Sequence, residues 1–107
     1  TGSARLEVFT EKVGKHPPAK GARAVYLVFT TDFADGDQLQ WSAYLKDKNV
    51  SLQLYASEDA GERHDLDRMA EDLAKRLRKQ GFLLSAPVVR LKKPFRVPEG
   101  FRLNVRA

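Results

Sequence analysis

Apolar and polar positions alternate along most of the chain, and the period of alternation changes once. Leu39, Trp41, Ala43 and Leu45 share one face of a strand, and Val50, Leu52, Leu54 and Ala56 repeat the pattern after Lys46-Asp47-Lys48-Asn49. Two alternating runs around a short polar break predict a β-hairpin. Its second face carries Gln40, Ser42 and Tyr44 beside Ser51, Gln53 and Tyr55, the one-sided polarity usual for antiparallel sheets. Residues 23–30 are apolar at nearly every position and rich in β-branched and aromatic side chains, which predicts a central strand with both faces at least partly covered. The mixed stretch from Arg5 to Thr10 reads as an edge strand. Residues 11–22, with two prolines and two glycines, read as a loop, and Asp35-Gly36 marks a turn.

The period then lengthens. Leu66, Met69, Leu73 and Leu77 recur at helical spacing, and Ala70 and Ala74 widen the stripe, so a helix is expected over residues 64–80. Asp65 suits a cap at its start, or Ser57 at an earlier one, and Gly81 suits a left-handed terminating residue. Beyond it, Val89, Leu91 and Phe95 alternate with Arg90, Lys92 and Arg96, interrupted by Pro94 and Pro98. Phe101, Leu103 and Val105 alternate with Arg102, Asn104 and Arg106 after a turn at 98–100. Prolines confine the first of these two strands to a short or edge position. The expected fold is a single α+β domain over residues 4–107. It has an antiparallel sheet of five or six strands in the order β-β-β-β-α-β-β and one long amphipathic helix on one face. A partly closed barrel is the alternative. Thr1-Gly2-Ser3 reads as a cleavage scar, which suggests a domain excised from a longer protein.

With 107 residues and no cysteine, disulfides, thiolate chemistry and cysteine-based zinc sites are excluded. No apolar run approaches the roughly 18 residues a membrane helix needs, so a cytoplasmic protein without membrane contact is expected. The net charge of +5 is unevenly distributed. Residues 58–74 hold 2 basic and 7 acidic groups, whereas residues 75–107 hold 10 basic groups and Glu99 alone as acid. Within the helix this order complements the macrodipole and needs no ligand. The strands lack that explanation. If the last two strands pair as a hairpin, Arg90 and Lys92 share a face with Arg102 and Arg106, a repulsion that a bound anion would relieve.

The expected function is therefore a non-catalytic binding module for nucleic acid or another polyanion. The candidate contacts are Arg90, Lys92, Lys93, Arg96, Arg102 and Arg106, with Lys15 and Lys20 assisting from the loop. Tyr44 and Tyr55 would offer stacking surfaces. The rival is a protein-interaction or regulatory domain that meets an acidic partner or self-associates by strand pairing. No cofactor is expected. The loop Gly14-Lys15-His16-Pro17-Pro18-Ala19-Lys20-Gly21 lacks the Gly-Lys-Ser/Thr and following helix of a phosphate loop. Asp32, Asp35 and Asp37 are a candidate cation cluster, with a metal-dependent nuclease as the enzyme alternative, but read better as turn residues. His64 beside Asp65 and Asp67 resembles a base and its orienting acid, yet no nucleophile accompanies it.

Overall fold

The computed structural model describes residues 2–12, 24–84 and 87–106. Four antiparallel strands come first: β1 (Ser3–Glu11), β2 (Val25–Asp32), β3 (Gln38–Lys46) and β4 (Asn49–Ala56). A single turn α1 (Ala60–Arg63) leads into α2 (Leu66–Lys79). Short strands β5 (Leu83–Leu84) and β6 (Val89–Leu91) and a final β7 (Phe101–Arg106) complete the chain.

The hairpin and the central strand stand where the sequence puts them, while the helix is shorter than the expected 64–80 and is preceded by the separate turn α1. Lys46 pairs with Asn49 across a two-residue turn, and Asp47 takes the left-handed conformation that turn requires. β2 lies between β1 and β3, with Val28 and Thr30 buried on the face opposite the helix. The Asp65 carboxylate accepts the Arg68 N–H at 3.1 Å and caps α2, and Gly81 ends it at φ 91°. Ser57 caps nothing. Its hydroxyl accepts the Gln38 N–H at 2.8 Å while its own N–H donates to the Gln38 carbonyl, tying the exit of β4 to the start of β3.

Three expectations are corrected. First, the sheet is mixed and has seven strands, in the order β5-β4-β3-β2-β1-β7, with β6 also on β4. β5 and β6 run parallel to β4, because the helical crossover between them supplies the length a parallel connection needs. The path of the sheet is open, so it is not a barrel. Second, β1 is an interior strand, and Ser3 at its start pairs with Asp32; the edge is β7, antiparallel to β1. Third, β6 and β7 form no hairpin, since they lie at opposite edges of the sheet.

Residues 92–100 join those edges as a strap across the sheet face opposite α2. Crossing from β6 to β7 takes about 24 Å at 4.8 Å per strand. Nine residues extended by Pro94 and Pro98 reach roughly 30 Å, so the strap is nearly taut. The Phe95 N–H donates to Gln40 Oε1 at 2.8 Å, and its ring lies 5.3 Å from that of Tyr26. The polar sheet face is therefore covered and internally satisfied: Gln40 Nε2 donates to Thr30 Oγ1 at 3.3 Å, and Ser42 Oγ donates to Gln53 Oε1 at 3.0 Å. On the other face, Leu39, Leu54, Ala60 and Leu66 form the core, with Phe33, Trp41, Met69 and Val88 around it.

Candidate functional site

The basic residues do not converge. Register carries Arg90 to the helix side of the sheet, level with Leu54, where its guanidinium lies 3.8 Å from Asp67 at the start of α2. In β7, Asn104 has no partner on β1, a bulge that sets Val105 opposite Val8 and Leu103 opposite Phe9. Arg102 consequently pairs with Thr10 and lies on the helix side, whereas Arg106 pairs with Glu7 on the strap side. The Glu7 carboxylate then holds two cations, Arg106 at 2.9 Å and Arg5 at 3.2 Å. The shared basic face is thus absent for two physical reasons: the strands are separated by the whole sheet, and a bulge breaks the parity of β7. Lys92, Lys93 and Arg96 remain on the strap, exposed and, among the described residues, without a carboxylate within 4.0 Å. Lys15 and Lys20 lie outside the described residues.

The tyrosines are partly consumed by the fold. Tyr26 contacts Tyr44 at 5.0 Å, Phe95 at 5.3 Å and Phe101 at 4.8 Å. Burial, and secondarily the neighbouring Tyr44 phenol, push the Tyr26 hydroxyl above its ordinary pKa. Tyr44 is thus half of an internal pair. Tyr55 lies beside Leu91 near the edge, half-buried.

The acidic turn carries the Asx hydrogen bond of the turn reading and adds a partner that the sequence does not indicate. Asp32 accepts the Gln38 side-chain amide at 2.8 Å, and Asp35 accepts the Asp37 N–H at 2.9 Å. His64, remote in sequence, stacks on Phe33 at 4.5 Å and places Nε2 3.3 Å from the Asp37 carboxylate, which is only 3% exposed. Ligand atoms of Asp35, Asp37 and His64 fall within 4.8 Å of one another. The grouping joins the β2–β3 turn to the entry of α2, and nothing in linear spacing foretells it.

Another surface feature is apolar. Among the described residues α2 stands over β3 and β4, and no element lies on the helix-side face of β2, β1 and β7, where Leu6, Val8 and Leu27 are half-buried. Phe29, in the middle of β2, is 41% exposed. It lines an open groove of about 530 Å³ with Trp41, Met69, Leu73, Asp72 and Arg76, and the groove continues over Leu6 and Leu27 toward Leu77. Val105, opposite Val8, is 50% exposed at its far margin. Sequence periodicity marks most of these residues as core. The missed signal is width: one helix about 10 Å across cannot cover strands spanning roughly 24 Å.

No protein-family model matches the chain, and neither a curated protein nor a solved structure is similar to it. Among the described residues no helix is long and apolar enough to cross a membrane.

Proposed function

We propose that the domain is a non-catalytic protein-interaction module whose docking surface is the half of the sheet left bare by α2. Phe29 carries this reading. A large aromatic on an interior strand is normally covered on the helix side. Here it floors a groove continuous with Leu6, Leu27, Trp41 and Leu73. Contiguous exposed apolar surface rimmed by charge marks a place where another molecule binds. The test immobilises the wild type, a Phe29→Glu/Val105→Glu variant and a Lys92→Glu/Lys93→Glu/Arg96→Glu variant. Each is exposed to nuclease-treated extract of the encoding organism. Proteins held by the wild type and the strap variant, and lost from the groove variant, are expected. Equal capture by all three overturns the reading.

Nucleic-acid binding is the second reading, supported by the unpaired Lys92, Lys93 and Arg96 on the strap. Three phosphate contacts imply a log–log salt slope of about −2 on single strands and about −2.7 on duplex. Fluorescence anisotropy with labelled RNA and DNA reads that slope, which triple alanine substitution would abolish. No binding at low salt ends this second reading.

A further inference from the structure

We infer that Asp35, Asp37 and His64 bind a divalent transition-metal ion, zinc by preference, which joins the β2–β3 turn to the entry of α2. The site shares no residue with the groove and is independent of the docking reading.

One atom points to a ligand. His64 Nε2 is buried and has no hydrogen-bond partner, a rare and costly condition for a ring nitrogen. The Asp37 carboxylate approaches it at 3.3 Å, within reach of a hydrogen bond but not aligned for one. Two donors of one tetrahedral ion, each about 2.0–2.1 Å from it, stand about 3.3–3.4 Å apart. Each then lies about 35° off the other's lone-pair axis, where a hydrogen bond is lost and a shared ion fits. The spacing and the missing bond therefore have one explanation.

A third donor is at hand. Ligand atoms of Asp35, Asp37 and His64 all lie within 4.8 Å of one another. Asp35 is exposed, so a rotation of its side chain closes the set. Its Oδ1 already accepts the Asp37 N–H at 2.9 Å, but a carboxylate offers about four acceptor positions and takes an ion beside that bond. The frame is fixed from both sides. In the turn, the Phe33 N–H donates to the Asp37 carbonyl at 2.9 Å. Between α1 and α2, the His64 N–H donates to the Ala60 carbonyl at 2.9 Å, and the imidazole stacks on Phe33 at 4.5 Å. Donors held in place before the ion arrives cost little ordering entropy on binding.

Ligand chemistry selects the ion. Calcium and magnesium take oxygen donors, so an imidazole counts against them. Imidazole with carboxylates and no thiolate suits zinc. Three protein donors leave a fourth position for water, on the side where Asp35 meets solvent.

The test is isothermal titration calorimetry with zinc chloride, and with magnesium and calcium chlorides for comparison. One zinc per chain is expected, with magnesium and calcium at least about 100-fold weaker. His64→Gln and Asp35→Asn should each weaken zinc at least ten-fold, since loss of a mere partner of a ligand already costs about that much. Asp35 is exposed, so its variant keeps the fold and decides the matter even where a change at buried Asp37 does not. His16→Gln removes the other of the two histidines and should change nothing. Zinc at about 100 times Kd should raise the wild-type Tm by roughly 10 °C, and that of the two ligand variants by half as much or less. No heat at millimolar zinc, zinc and magnesium bound alike, unchanged affinity in His64→Gln or Asp35→Asn, or affinity lost in His16→Gln each overturns the inference.

Discussion

Replacing Phe95 by alanine tests whether the strap is packed on the sheet or merely passes over it. Truncating a fully buried phenylalanine costs about 3–5 kcal/mol. Phe95 is half-buried, so roughly half of that applies, near 2 kcal/mol. The ring pair with Tyr26 adds about 0.5 kcal/mol or more. The backbone N–H that donates to Gln40 persists in the variant, so the loss reports the ring alone. With an unfolding entropy near 2.1 cal/mol/K per residue, 1 kcal/mol corresponds to about 4–5 °C for a chain of this length. Phe95→Ala should therefore lower Tm by roughly 10 °C in calorimetry. Limited trypsin digestion should become faster after Lys92 and Arg96, the Lys93–Pro94 bond being resistant. A Tm within about 2 °C of the wild type, with unchanged digestion, would refute the packing argument. It would also restore the open polar sheet, with Tyr26 and Tyr44 available for stacking.

Loss of the α2 cap in Asp65→Ala should cost about 1 kcal/mol, lowering Tm by 4–5 °C on the same scale; no change would mean that the Asp65–Arg68 bond is not maintained in solution. Absorbance titration near 295 nm should show one of the three tyrosines ionising above the usual value near 10, and Tyr26→Phe should remove that phase. Because the folded-state pKa is the raised one, the associated stability is complete below pH 10 and declines as pH rises through the folded value, a decline absent in Tyr26→Phe. Deleting Asn104 leaves every β1–β7 pair in place and converts β7 to a regular edge, so the variant should fold and should self-associate more in sedimentation at high concentration. Unaltered self-association would remove the protective role of the bulge.

Short-range features were legible in the sequence because one rule decided each of them. Alternation around Asp47-Lys48 specifies the β3–β4 hairpin, and the 66–69–73–77 stripe with Asp65 and Gly81 specifies α2. Long-range placement was not legible. Nothing local to Arg90 or Arg102 states that the first strand joins β4 and the second joins β1. That choice follows from which edges remain free after the crossover, and from a linker too long for a hairpin. The side on which Arg102 lies depends on a single unpaired residue, Asn104, which no alternation reveals. His64 meets Asp37 only because α1 folds the chain back over the β2–β3 turn. The bare half-sheet was accessible to arithmetic, since strand count times spacing exceeds one helix width.

The bulge and the bare face belong to one physical problem. An open sheet with a six-residue edge strand invites pairing by another strand. β7 counters this with two arginines and a break in its ladder. The same break turns Arg102 toward the helix side, while Glu7 holds Arg106 on the opposite face. A partner that used the edge would have to overcome the bulge, whereas one that used the groove meets an apolar floor. Deleting Asn104 and replacing Phe29 by glutamate separate these routes. The deletion should enhance edge association and leave capture of partners through the groove unchanged, and Phe29→Glu should abolish that capture without altering edge association.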